Sequence, residues 1–421
     1  MKKTYRAVQE TGRYALLAMV MLALIWLPAC GGSSSTPSGA GGGGGTIVNN
    51  TETLQVNLGP ANNDANVPLV SVTVCVPGST TQCQTVPDVE VDTGSEGLRI
   101  LSSALTITLP SVTDASNNPL ANCLSFADNS YVWGPVVGAD VDMAGETASG
   151  VPIQVIGDPS FATVPKACNI GGPANNTTTV LGANGILGVG VFRQDCGSGC
   201  AGTAGTVPAV YFSCPNSLCT TASTPVSVPV QNQLQNPVWL FAQDNNGLVL
   251  TFPSVPASGS PTVTGSITFG IATQTDNTLG TSAQVYDVDG FGNFITTYNG
   301  QQYTSSYIDS GSNGLYFLDT TTTGLPDCSK TGVAPGFYCP TTTTSFTATN
   351  SGATNGVSGP VTFSVANAET LFQSSDAAFV NLAGPSPNTF DWGLPFFYGR
   401  TVYIGIEGQT SPAGTGPYWA Y

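Results

Sequence analysis

Apolar residues in this chain recur mainly at every second position, in short runs that end at Gly, Pro, Asn or Asp. Residues 54–58, 67–76, 86–91, 98–101, 136–141 and 151–156 show the pattern in the first half. Residues 248–252, 285–288 and 303–308 show it in the second. A period of two puts alternate side chains on opposite faces of a pleated strand. The short apolar stretch 238–241 reads as a further strand, and 126–134 as a hairpin around Asp128-Asn129. Val, Thr and Ser fill these segments, Gly and Pro separate them, and no long run keeps helical periodicity. The pattern predicts an all-β protein.

The N-terminus breaks this pattern. Lys2, Lys3, Arg6 and Arg13 precede an apolar run over residues 15–27, the layout of an export signal. The run is too short to span a bilayer convincingly. It ends Leu27-Pro28-Ala29-Cys30, which resembles a bacterial lipobox and implies cleavage before Cys30 and acylation of that cysteine. A Gly/Ser-rich tether follows, a composition that buries no core. The expected division is a signal at 1–29, acylated Cys30 and tether at 30–46, an N-terminal lobe at 47–273 and a C-terminal lobe at 274–421. Gly31 is not an inner-membrane retention residue, so the expected location is the bacterial envelope, lipid-anchored at the outer membrane on its periplasmic face or at the cell surface. The alternative is an ordinary cleaved signal with a coincidental cysteine.

Charge and composition narrow the chemistry. Removing the signal leaves five basic residues against 24 acidic ones. So acidic a body disfavours nucleic acid as a partner. There is no histidine, which removes Ser-His-Asp and Cys-His catalysis and every histidine-based metal site. Carboxylates remain as acid and base, and no metal or other cofactor is expected. Ten cysteines follow Cys30, an even number that suits disulfides in an exported chain. Nearest-neighbour pairing gives Cys75–Cys83, Cys123–Cys168, Cys196–Cys200, Cys214–Cys219 and Cys328–Cys339. Cys196, Cys200, Cys214 and Cys219 could instead form a four-thiolate zinc site.

Two segments 217 residues apart are near copies. Asp92-Thr93-Gly94-Ser95-Glu96-Gly97-Leu98-Arg99-Ile100-Leu101 matches Asp309-Ser310-Gly311-Ser312-Asn313-Gly314-Leu315-Tyr316-Phe317-Leu318. Each reads as strand, tight turn, strand, with a carboxylate at the tip. With Asn184-Gly185-Ile186-Leu187-Gly188, the strand Gly265-Ser266-Ile267-Thr268-Phe269-Gly270 and Trp392-Gly393-Leu394-Pro395-Phe396-Phe397, the chain resembles the pepsin-like aspartic proteases over nearly all of its length. The resemblance implies two pseudo-symmetric β-lobes with a cleft between them, a monomer, and hydrolysis of peptides or unfolded proteins by water activated between Asp92 and Asp309. It implies that Thr93 and Ser310 lock the turns together, that Ser95 and Ser312 hydrogen-bond the outer carboxylate oxygens, and that Gly94 and Gly311 allow close approach. Phe126-Ala127-Asp128-Asn129-Ser130 is similar to the family's flap tip. Phe126, with Tyr131 or Trp133, would then cover substrate, the alternative being that these aromatics only pack the hairpin. Two departures stand out. Asp88, Glu90 and Asp92 alternate on one strand, where Glu90 would raise the Asp92 pKa or the three would gather a cation such as calcium, the alternative being that the strand twists and Asp88 and Glu90 reach solvent. Asp391-Trp392-Gly393 has an acid where the family has an apolar residue. Beside the enzyme reading stand a non-catalytic lipoprotein that binds a peptide or envelope polymer in the same cleft, and a structural envelope protein with no ligand.

Overall fold

The computed structural model describes residues 49–421; the expected signal, Cys30 and the whole tether lie outside the described residues. In the first half the strands are β1 (Thr51–Asn57), β2 (Val67–Cys75), β3 (Cys83–Asp92), β4 (Glu96–Leu101), β5 (Leu120–Ser125), β6 (Tyr131–Met143), β7 (Glu146–Ile156), β8 (Gly185–Val189), β9 (Tyr211–Ser213), β10 (Gly247–Thr251) and β11 (Val263–Phe269). In the second they are β12 (Val285–Asp287), β13 (Phe294–Tyr298), β14 (Gln301–Ile308), β15 (Leu315–Leu318), β16 (Thr344–Ser351), β17 (Ser358–Val365), β18 (Ala383–Gly384), β19 (Ser386–Trp392) and β20 (Thr401–Gly405), with a further strand Tyr418–Ala420.

One topology occurs twice. β8 inserts between the arms of the first Asp turn, parallel to β3 and antiparallel to β4, and β4 continues parallel to β7. β19 does the same in the second turn, parallel to β14 and antiparallel to β15, and β15 continues parallel to β18. The orders β3-β8-β4-β7 and β14-β19-β15-β18 are equivalent. The twin sequence motifs are thus twin structural units, and the fold is all-β and bilobal.

A sheet joins the halves. β1 lies between β2 and β11, β10 pairs with both β11 and β20, and β20 pairs with Tyr418–Ala420, which also pairs with β12. Its apolar faces merge into one large core, with Leu54, Leu248, Ile267, Val402 and Ile404 fully buried. The second lobe fills with aromatic rings instead. Phe317 lies 5.0 Å edge-on from Phe363, and Phe363 5.3 Å edge-on from Trp392. Such pairs add about 0.5–1.5 kcal/mol each beyond the area they bury.

The five disulfides are Cys75–Cys83, Cys123–Cys168, Cys196–Cys200, Cys214–Cys219 and Cys328–Cys339. The four clustered cysteines are therefore consumed in bridges, and the thiolate zinc alternative does not form. Three expectations need correction. Residues 238–241 are no strand: Pro237–Leu240 is a 3-10 turn, opened by Pro237 and capped by Asn236, whose Oδ1 accepts the Val238 N–H at 3.0 Å. Asp88 leaves the alternation, at φ 55° beside a register shift against β2, so it does not share a regular face with Glu90 and Asp92. A bulge inserts one residue and re-aims what precedes it. Nor does Glu90 reach solvent, being 0% exposed.

Candidate active site

Each Asp turn ends a strand whose residues up to the turn are held by the inserted strand. Asp92 pairs with Gly188, and the Asp309 N–H donates to the Trp392 carbonyl at 3.1 Å. At both crossings only glycine fits. A Cβ on Gly188 would lie 2.6 Å from the Glu96 backbone, and one on Gly393 would lie 2.1 Å from the Gly314 carbonyl oxygen. Real Cβ atoms do not approach so closely, so the inserted strand is glycine-marked for steric reasons.

The two turns grip each other reciprocally. The Thr93 N–H donates to Ser310 Oγ at 3.1 Å, and the Ser310 N–H donates to Thr93 Oγ1 at 2.9 Å. The hydroxyls donate onward across the interface, Thr93 to the Ile308 carbonyl at 3.2 Å and Ser310 to the Val91 carbonyl at 2.7 Å. All four bonds are buried, so each holds groups that would otherwise be left without water.

The grip brings the two carboxyl groups within hydrogen-bonding distance of each other. Both are 0% exposed. Asp92 accepts the Gly94 N–H at 2.8 Å and the Ser95 hydroxyl; Asp309 accepts the Gly311 N–H at 2.9 Å and the Ser312 hydroxyl at 2.8 Å. A Cβ on Gly94 would lie 2.6 Å from the Asp309 carboxyl carbon, so the first turn passes directly over the second carboxylate. Burial is the main force pushing the Asp92 acid well above the ordinary range, joined by the charge and hydrogen bond of Asp309 and the charge of Glu90. Burial also raises Asp309, but there the bonds from Asp92, Ser312 and Gly311 oppose it. Both acids are thus raised, and two carboxyls buried so close together cannot both ionise easily, so the pair titrates as a unit.

The expected flap residues are placed differently from the dyad residues. The turn forms at 126–130, with the Phe126 N–H donating to the Ser130 carbonyl at 2.8 Å. Phe126 itself packs among Leu124, Val132 and Ile156. Tyr131 and Trp133 pack beside the Cys123–Cys168 bridge, and the Trp133 Nε1–H donates to the Phe161 carbonyl at 2.8 Å. All three side chains are buried. The polar tip residue Asp128 is the part of the hairpin whose charge reaches Tyr316, beside the second turn.

Several residues around the dyad escaped the sequence reading. Behind the first turn, Arg99 is fully buried; it contacts Asp195 at 3.4 Å and donates to the Glu96 carbonyl at 2.8 Å. Asp195 also accepts from Asn122 at 3.0 Å and from the Tyr211 hydroxyl at 2.7 Å. Burial lifts the Asp195 acid to about 6 against the opposing pull of Arg99, Tyr211 and Asn122. A lone arginine inside Leu98-Arg99-Ile100-Leu101 was the signal, since a buried guanidinium requires a partner. Across the interface, the Asn66 amide donates to the Asn313 carbonyl at 2.8 Å and the Phe379 carbonyl at 2.9 Å. Asn66 Oδ1 accepts the Phe379 N–H and the Tyr398 hydroxyl, both at 2.8 Å. This residue bolts the first lobe to the second turn. Two cavities, of about 290 and 340 Å³, flank Arg400 on the second lobe and include no dyad residue.

Residues 46–421 match the model of a family described as "Protein of unknown function (DUF3443)". No curated protein matches significantly. Among solved structures, the aspartic proteinase from Irpex lacteus aligns at a TM-score of 0.48 and 15% identity, over 88% of this chain and 96% of that one.

Proposed function

The chain belongs to this family, whose description assigns no activity, and from its own site we propose that it is an aspartic endopeptidase acting on peptides or unfolded proteins. One observation carries the reading: two fully buried carboxyls brought together by a reciprocal Thr93–Ser310 grip. Holding two acids in one dry site costs stability, and a merely structural interface has simpler solutions. In a hydrolytic cycle, Asp309 takes a proton from a water lodged between the carboxyls and the freed hydroxide attacks the peptide carbonyl. Asp92 gives its proton to the carbonyl oxygen, and the amine leaves as the acids exchange roles. Ser95, Ser312, Gly94 and Gly311 hold the carboxyl planes through these steps. We place the enzyme in the bacterial envelope as a monomer, anchored through an acylated Cys30, probing unfolded chains near the membrane surface.

A second reading, a cleft that binds peptide without cutting it, is favoured by the inward packing of Phe126, Tyr131 and Trp133. Those rings are buried in the hairpin's own apolar clusters, where they are spent on packing. Digestion of a denatured protein mixture between about pH 3 and 7 tests both readings. Cleavage by the wild type, lost in Asp92→Asn and Asp309→Asn and blocked by a statine inhibitor such as pepstatin, supports the protease. Folded wild-type protein that cuts nothing while still retaining a statine peptide supports the binding cleft.

A further inference from the structure

The second turn holds a third acid, and the proton count around it does not close on the dyad alone. Asp391 stands on β19, 1% exposed, and its Oδ2 lies 2.7 Å from Ser312 Oγ. The same Oγ lies 2.8 Å from Asp309 Oδ2. A serine hydroxyl carries a single proton and can donate to one of these oxygens only. The other contact must be made by a proton on a carboxyl group. Asp92 and Asp309 are both 0% exposed and face each other under the Gly94 turn, and two like charges so close cannot both ionise easily, which assigns a further proton to that pair. Three carboxyls therefore hold two acid protons and one negative charge.

We propose that Asp391 is a positioning residue that keeps a proton and, through Ser312, sets the pH range in which Asp309 works as the base. The chain runs from the Asp391 O–H to Ser312 Oγ, and from the Ser312 O–H to Asp309 Oδ2. While Asp391 is protonated, Ser312 has its proton free for Asp309 and stabilises that carboxylate. When Asp391 loses its proton to solvent, Ser312 turns its O–H to the new anion. Asp309 then loses a donor and faces a second negative charge. The titratable groups flanking Asp391 are Asp309 through Ser312, and its register neighbours Tyr307 and Tyr316. Burial, first of all, holds the Tyr316 phenol well above its usual range, so it stays neutral. The first turn has no such acid on its inserted strand, where Ile186 occupies the position equivalent to Asp391. The device is one-sided, and it marks Asp309 as the base.

This inference rests on the protease reading for its consequence, but its test does not need activity. The carboxyl carbons of aspartate, labelled with carbon-13, are titrated by NMR in the purified wild type, Asp391→Asn and Ser312→Ala. The amide introduced by Asp391→Asn can still donate an N–H to Ser312, so that variant keeps the bond and removes only the ionisation. The expected wild-type spectrum has an aspartic acid signal, beyond the dyad, that stays protonated where ordinary aspartates have ionised. Asp391→Asn abolishes that signal, and Ser312→Ala shifts the Asp309 midpoint upward by about one unit. If the signal lost in Asp391→Asn belongs to an acid already ionised in that range, the proposal is overturned. Where cleavage is measurable, Asp391→Asn should extend kcat/KM to higher pH by about one unit with KM unchanged. Unaltered limbs would also overturn it, whereas absence of cleavage in the wild type would count against the protease reading and leave the spectroscopic result to decide the proton count.

Discussion

Removing the Ser310 hydroxyl should cost far more than its size suggests. Ser310→Ala deletes the acceptor of the Thr93 N–H at 3.1 Å and the donor to the Val91 carbonyl at 2.7 Å. Both orphaned groups are backbone atoms of buried residues, Thr93 at 3% and Val91 at 0% exposure. A buried polar group left unpaired costs about 1–3 kcal/mol, and two such groups less some local relaxation give about 2–4 kcal/mol. The measurement is denaturant unfolding of wild type, Ser310→Ala and Ser310→Thr, followed by near-UV signals of the buried aromatics. Threonine restores the hydroxyl and, with it, both bonds. The expected result is a loss of about 2–4 kcal/mol in the alanine variant and most of it recovered in the threonine variant. A loss under about 0.5 kcal/mol, the scale of an ordinary surface change, would refute the claim that the two turns are held by these bonds.

Other outcomes follow from the same geometry. Asp92 and Asp195 both hold protons more tightly when folded than when unfolded, Asp195 to about 6. Their contribution is complete below the unfolded carboxyl range and is lost as pH rises through the folded values. Melting temperature should therefore fall from about pH 4 upward, and less steeply in Asp92→Asn; a melting temperature that climbs over that interval would contradict the assignment. Arg99→Met strands the Asp195 carboxylate and should destabilise by about 3–5 kcal/mol by calorimetry at neutral pH. The Cys123–Cys168 bridge spans 45 residues and Cys196–Cys200 only four. Alanine pairs at these sites should cost about 4 and about 2 kcal/mol respectively, and equal losses would count against the loop-entropy account.

How far the sequence speaks for itself differs between parts of the molecule. The twin turns were legible because the same chemistry was written twice, with the same glycine and hydroxyl spacing. The disulfides were legible because the cysteines fall close together in pairs. The β16–β17 hairpin was not singled out, although Phe346, Ala348, Val361 and Val365 alternate with exposed Thr and Ser. Its Thr-rich surroundings resembled a loop. The 238–241 run misled because four apolar residues have no period of their own, and the Pro237 and Asn236 cap decided the matter. Asp391 and Arg99 were visible as oddities within apolar stretches. Their partners, Ser312 and Asp195, are 79 and 96 residues away, and only the folded chain brings them together.

The sheet that joins the lobes also imposes an order on assembly. β10 finds its partner β20 only after another 150 residues have been made. Until then one flank of the first lobe is an unpaired strand edge, the kind of surface that recruits other chains. Contacts so distant along the chain slow folding and lengthen the exposure. The turn carrying Asp92 stays without its counterpart for much of this interval, because Asp309 arrives from the same late half of the chain. A nascent molecule thus brings its two Asp turns together and loses its adhesive edge within the same late stretch of synthesis.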